Sequence, residues 1–281
     1  MQIAVDDRHK LIVAGEVVND GNDNGQLHAL ALAAKQALGV ATLQALADTG
    51  YYNGETLKAC EADGIVAYVP QPDRNMRLAA QGRFTLAAFV YDAVTDIYRC
   101  PAGNPLRRMN GHKQDVTGKM QVRYASLRSA CKACPLRQKC LAAKAQRRDI
   151  YRWEHEDVIE RHRDRMAQAG SLMRRRGALV EHPFGTLKCR AGYRHFLLRG
   201  FHKVRGEWSL MALCYNFTRV LNIIGIDRFM AYLARRLSNL AIWPLDAVMS
   251  IASRLQTGIT RLRPKMSQNS TNIRLAFESA L

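Results

Sequence analysis

The 281-residue chain carries 42 Lys and Arg against 24 Asp and Glu, for a net charge of +18 and a pI near 10.0. Its length and 48% apolar content give a globular chain with a real core. No stretch approaches the ~20 apolar residues of a membrane helix. Asp6, Asp7 and Arg8 interrupt any N-terminal signal sequence. The expectation is a soluble, cytoplasmic protein with no membrane partner, whose positive charge meets a polyanion, above all nucleic acid. The charge is also segregated. Residues 1–82 hold 6 basic and 10 acidic side chains, and residues 83–281 hold 36 and 14. That division suits an enzyme that holds metal in one part and grips phosphates with another.

Along the chain, "MQIAVDD" and "HKLIVAGEVV" read as two strands of a hairpin, followed by the turn-rich loop "NDGNDNG". "QLHALALAAKQAL" predicts a largely buried helix, "VATLQALAD" a strand stopping at Asp48, "ETLKACEAD" a short helix and "IVAYVP" another strand. This β-β-α-β-α-β order predicts a mixed α/β (α+β) sheet with flanking helices. A polar linker follows Pro70, then short strands around four cysteines, then one long charged helix from Ile150 to about Arg176. Residues 208–235 have apolar residues at helical spacing, and "RPKMSQNSTN" reads as a flexible tail.

Cysteines in a cytoplasmic chain are expected to be reduced, so clustered ones suggest metal. Cys100, Cys131, Cys134 and Cys140 form a Cys-x30-Cys-x2-Cys-x5-Cys series. The Cys-x2-Cys step suits a tetrahedral Zn²⁺ knuckle that staples a basic insertion lacking long apolar runs. An iron–sulfur cluster and ordinary thiols are the alternatives. Cys60, Cys189 and Cys214 sit in apolar or helical contexts and read as packing residues.

Two carboxylates stand out. Asp48 ends a strand, where α/β sheets form their sites, although an Asp there also caps turns. Glu181 is the one acidic residue in "RRRGALVEHPFGTLKCRAGYR". On a single helix Arg174, Glu181 and Lys188 would share a face, with Pro183 kinking that helix or starting a new one. The cations around it, Arg174, Arg175, Arg176, Lys188, Arg190 and Arg194, are candidate phosphate contacts whose binding should weaken steeply with salt. His182 could serve the phosphate or the metal, or be a structural neighbour. Tyr51 and Tyr52 could stack on a base, with packing the favoured reading.

The ordered set "IVAGEVVNDGNDNGQL", "ADTGYYNGETLKACEADGIVAYVP", "YRCPAG", "CKACPLRQKC" and "VEHPFGTLK", followed by "SLMALCYNFTRVLNIIG", resembles the DDE-type transposases of bacterial insertion sequences, in the branch with a cysteine-bearing insertion. The resemblance covers roughly residues 1–230. It implies a ribonuclease H-like fold in which three carboxylates bind two divalent metals, Mg²⁺ or Mn²⁺, for cleavage and strand transfer of DNA at transposon ends and target, with a homodimer as the active assembly. Asp48 matches the family's second carboxylate and Glu181 its third. Of the Tyr-x2-Arg-x3-Glu-x6-Lys pattern, Lys188 is present, while Arg174 stands at the tyrosine position and Gly177 at the arginine position. The implied division is residues 1–82 and 151–235 for the two parts of the core, 83–150 for the insertion and 236–281 for a tail.

The family's first aspartate lies on a central strand upstream of "QIAVDD". By resemblance the chain therefore reads as a truncated copy, incomplete at that strand, with unpaired strand edges facing a gap. Asp6, Asp7 or Asp20 is the rival source of the third ligand. The alternative function is a non-catalytic, zinc-containing DNA-binding protein or regulator of transposition.

Overall fold

The computed structural model describes residues 1–73, 75–115, 118–190, 192–238 and 274–279. Two compact units are present, Met1–Pro70 with Arg165–Leu281, and Gln71–Asp164.

In the first unit, Gln2–Asp6 (β1) and Ile12–Glu16 (β2) form an antiparallel hairpin. Its turn is closed by the Asp6 carboxylate, which accepts from the N–H groups of His9 and Leu11, both at 2.6 Å. Helix α1, Gln26–Leu38, buries Leu27, Leu30, Ala31 and Ala34, a spacing that gives one apolar face, and it ends at Gly39 in the left-handed conformation. Leu43–Leu46 (β3) and Ile65–Tyr68 (β4) pair in parallel across α2, Gly54–Ala62, whose first turn is capped by Asn53.

Between the hairpin and this parallel pair lies the C-terminal strand Arg274–Ser279, β10 in chain order. It runs antiparallel to β1, with Ile3 opposite Glu278, and parallel to β3, with Ala276 opposite Leu46. The sheet order is β2-β1-β10-β3-β4. The expected gap is thus occupied. The central place that the resemblance assigns to an upstream strand is taken by the chain's own C-terminal segment, so both inner edges have backbone partners. Of the expected tail 236–281, residues 236–238 end a helix, Ile226–Ser238, while 239–273, including 263–272, and 280–281 lie outside the described residues.

The expected long helix at 150–176 is instead three elements. Asp149–Trp153 is strand β9, Glu156–Ala167 is α6, and Gly170–Phe184 is α7. Pro183 sits inside the last turn of α7, and a π-helical turn, Gly185–Arg190, continues it. Helix α7 packs on β1, β10 and β3. Its Leu179 and Val180 join Ile3, Val5, Trp208, Met211 and Tyr215 in one core. Trp208 and Tyr215 come from α8, Phe201–Ile224, which bends by 109° at Gly225 into α9, Ile226–Ser238. Trp208 lies so close to β2 that a Cβ on Gly15 would stand 2.8 Å from its Nε1, which is why that strand position is a glycine. Among the described residues no single helix is long and apolar enough to cross a membrane.

The second unit is an antiparallel meander of β5 (Val90–Asp92), β6 (Ile97–Arg99), β7 (Pro105–Gln114), β8 (Met120–Ala125) and β9, paired in that order. Short helical turns α3 (Met76–Ala80), α4 (Arg128–Lys132) and α5 (Arg137–Cys140) flank it. Its core holds Phe89, Tyr98, Leu106, Val122, Tyr124 and Ile150. Inward residues alternate along β8, as expected of a sheet with one face covered.

Candidate active site and metal centre

Strand direction decides which residues can meet. Because β1 opposes β10 and β3 follows it, the start of β1 and the ends of β10 and β3 lie at one end of the sheet. Asp48 is there, two residues past β3. Its Oδ1 accepts from the Gly50 N–H at 2.9 Å and caps the 3₁₀ turn Thr49–Tyr51. Tyr51 is fully buried beneath that turn, so it packs rather than presenting a face to a base, and Tyr52 is half-buried. Asp23 reaches the same place from the loop before α1. Its Oδ1 accepts from Nε2 of Gln2 at 3.0 Å. A Cβ built on Gly50 would stand 3.1 Å from Asp48 Oδ1 and 3.6 Å from Asp23 Oδ2, so both carboxylates face the bare backbone of that glycine.

Glu181 is exposed on α7. The helix runs opposite to β1. Its Arg175 bonds both oxygens of Asp7 at 2.9 Å, just past the end of β1, while Phe184 and Met1 line one cleft near the start of β1. Glu181 therefore stands toward the Asp48 end of the sheet. Its Oε1 is 3.5 Å from where a Cβ of Gly177 would be, so the small residue at the expected arginine position leaves that carboxylate room. Among the described residues, no three His, Cys, Asp or Glu side chains stand close enough to hold a metal ion. Asp48 and Glu181 share an end of the sheet without sharing a ligand sphere.

Two of the rival ligands, Asp6 and Asp7, are placed elsewhere. Asp6 closes the hairpin turn, and Asp7 pairs with Arg175 and Lys10. Both are at the opposite end of the sheet, about three strand residues or ~10 Å along from the level of Asp48. Asp20 accepts from the Gln26 side chain.

Residues that the sequence reading passed over tie α8 to the hairpin. Asn216 donates to the Ile12 carbonyl at 2.7 Å and accepts from its N–H at 2.8 Å, as a neighbouring strand would, and so covers part of the outer edge of β2. Arg219 Nε donates to the His9 carbonyl at 2.7 Å. The Tyr215 hydroxyl donates to the Lys10 carbonyl at 2.6 Å. A hydroxyl has one proton, so in the 2.9 Å contact between Tyr215 and His182 the proton is on Nδ1 of the imidazole. His182 is thus a tether beside Glu181. Burial pushes the Tyr215 phenol up to about 12, and it stays a neutral donor throughout the working range. Tyr215→Phe leaves the half-buried Lys10 carbonyl and the exposed His182 ring without this partner and is expected to cost about 1 kcal/mol, read as a lower urea midpoint at unchanged slope. The signal in the sequence was the polar cluster of Tyr215, Asn216 and Arg219 breaking an apolar stripe.

Of the candidate phosphate contacts, Arg174 and Arg194 are exposed, Arg176 is half-buried and Arg175 is occupied by Asp7. Lys188 is half-buried, with Nζ 5.4 Å from the Phe184 ring centre. Arg190 closes the π-helical turn, and its side chain lies outside the description.

In the second unit, Cys100, Cys131, Cys134 and Cys140 line a single cavity of about 20 Å³, with Phe84, Ser126 and Arg148 among its other walls. Tight turns present them. The Gly103 N–H bonds the Cys100 carbonyl at 2.8 Å, and the Arg137 N–H bonds the Cys134 carbonyl at 3.1 Å. Arg148 donates to the Cys140 carbonyl at 3.2 Å, and Arg137 donates to the Cys131 carbonyl at 3.3 Å. Burial raises the Cys140 thiol, an effect that Arg148 opposes. The four thiols thus line one cavity without forming, as placed, a set of metal ligands among the described residues.

The mixed sheet with a C-terminal strand at its centre, and a glutamate-bearing helix across it, is compatible with a ribonuclease H-like α+β fold. Residues 99–221 match the family model described as a transposase DDE domain. The match supports a DDE-type transposase, in agreement with the ordered motifs. The matched segment contains the four clustered cysteines, Glu181 and Lys188, while Asp48 lies outside it. No curated protein and no solved structure matches the chain.

Proposed function

We propose that this chain supplies the catalytic core of a transposase that cuts DNA at transposon ends and joins it to a target. The observation that carries the reading is Glu181, within the segment matched to the transposase DDE domain, on a helix laid across the sheet toward the end where β3 delivers Asp48. Asp48 and Glu181 would hold divalent metal, Mg²⁺ or Mn²⁺, through hard oxygen donors, once brought into the one ligand sphere they do not share in this structure. Bound there, the metal supplies a Lewis acid for the attacking water or 3′-hydroxyl and for the leaving oxygen. Lys188, with Arg174, Arg176, Arg190 and Arg194, holds the phosphates of the DNA in line with the carboxylates. Arg175 acts indirectly, by fixing α7 on Asp7. The active assembly is a homodimer on two DNA ends.

The four cysteines hold one structural Zn²⁺ in this proposal. The Cys131-x2-Cys134 step, at the wall of one cavity with Cys100 and Cys140, supports a tetrahedral zinc knuckle. The thiols are expected to draw together on binding, since they stand too far apart now. Zinc analysis should find one equivalent per chain, and chelation should abolish the separate unfolding transition of residues 71–164. Because zinc displaces thiol protons, affinity should rise with pH, and the raised Cys140 thiol extends that rise upward. Zinc-free protein with the same transition would reject the site.

The functional test is nicking and joining of a duplex carrying the transposon end. Cutting that requires Mg²⁺ or Mn²⁺ is the expected result. DNA binding with no cutting in either metal would instead make the chain a non-catalytic DNA-binding regulator.

A further inference from the structure

We infer that the outer face of the second unit's meander binds an unpaired DNA strand, with Tyr151 as the ring on which a base stacks. The choice of DNA rests on the transposase reading above. Register sets what shares this face. Leu106, Val122 and Ile150 point into the core, so their strand neighbours point out. Arg107 stands opposite Ala125, Lys113 opposite Gln121 and Arg123 opposite Tyr151. Arg107 and Lys113 are exposed and Arg123 is half-buried. Tyr151 is 41% exposed, whereas Tyr124, on the core side of the same sheet, is 2% exposed. A merely solvated sheet face gains stability by setting acids across from bases. Here none of the three cations has a carboxylate across from it. The acids on this side are engaged locally. The Thr95 hydroxyl donates to Asp92 at 2.7 Å, the Lys119 N–H donates to Asp115 at 2.9 Å, and Arg147 pairs with Asp149 at 3.2 Å. Among the described residues no ion pair ties Arg107, Lys113 or Arg123 to a carboxylate. Their charge is left for an anion from outside. The Tyr151 ring already takes a cation on its face, with Lys113 Nζ 5.4 Å from the ring centre. A base that stacks there moves the ammonium from the ring to the strand's own phosphates. Cations alone would serve a duplex equally well. A duplex keeps its base faces inside the stack, so the exposed ring selects an unpaired strand.

The test measures binding of the full chain to a fluorescent single-stranded oligonucleotide and to the matching blunt duplex, by anisotropy across a salt series. Tyr151→Ala is expected to weaken single-strand binding about tenfold and duplex binding by about twofold or less, while Tyr151→Phe, which keeps the ring, stays near wild type. Arg107→Gln, Lys113→Gln and Arg123→Gln together should weaken binding and flatten the log–log salt slope for the single strand by about 2, at roughly 0.7 per phosphate contact. An oligonucleotide carrying 5-iodouracil should crosslink to Tyr151 under ultraviolet light. Thermal unfolding is the control for folding. Should the triple variant fail to fold, Arg107→Gln with Lys113→Gln, both at exposed positions, takes its place, with a slope change of about 1.4. Wild-type single-strand affinity in Tyr151→Ala, equal losses on strand and duplex, or an unchanged salt slope in the cation variant overturns the assignment, and metal-dependent nicking by the wild type would still stand. Tighter binding of an RNA of the same sequence overturns DNA as the partner. Single-strand binding lost through Tyr151, in a chain that nicks in neither Mg²⁺ nor Mn²⁺, upholds this face and overturns the cleavage reading.

Discussion

Removal of residues 274–281 is expected to unfold the first unit while the second keeps its own transition. The strand β10 bonds on both sides, to β1 through Gln2–Asp6 and to β3 through Leu43–Leu46. Without it, the hairpin and the parallel pair each expose an inner edge inside the domain. Every backbone group left dry there costs about 1–3 kcal/mol. A few such losses match the roughly 5–15 kcal/mol that hold a whole domain together. A milder version is Ala276→Pro. Ala276 faces Val5 on one side and Leu46 on the other, and proline removes its N–H from the middle of the sheet. Hydrogen exchange is the measurement of choice. Protection in β1 and β3 should collapse in both variants and persist in β7 and β8. Retained protection in β1 and β3 after truncation would show that the strand does not hold the sheet.

Asp48→Asn and Glu181→Gln are each expected to lower DNA cleavage about 100-fold or more, which corresponds to roughly 2.7 kcal/mol or more of lost transition-state stabilisation. Each change removes one negative charge near a basic surface, so affinity for DNA should stay the same or rise. The double variant should be little worse than either single one, because ligands of one metal pair act as a unit. Lys188→Ala should behave in the opposite way, with weaker binding and a shallower salt dependence. Cleavage within a few-fold of wild type in both carboxylate variants would remove them from the chemistry.

The extent to which this was legible in the chain follows from the range of each interaction. Helix α1 was readable because Leu27, Leu30, Ala31 and Ala34 repeat at helical spacing, which is a local property. The hairpin, β3 and β4 were readable from alternation and turn residues. The helix across 150–176 was misread because its charged residues carry no strong period. Ile150 and Trp153 are buried in the meander, and that burial depends on β8. The cluster of four cysteines was visible as spacing, and its single cavity emerged once Cys100 folded back beside Cys131, Cys134 and Cys140.

From sequence alone came the basic charge, the two-part mixed fold, the cysteine series and the two carboxylates at 48 and 181. All of these rest on composition, short-range period and motif order. The occupant of the central strand and the neighbours of Asp48 came from folding. The pairing of β10 joins residues more than 200 positions apart, and nothing in "RLAFES" marks a central strand. Asp23 looks like one more polar loop residue until strand direction brings the start of β1 and the end of β3 together. Backbone hydrogen bonding in a sheet is indifferent to chain order, and that is why the place expected of an upstream segment is filled from the other end of the chain.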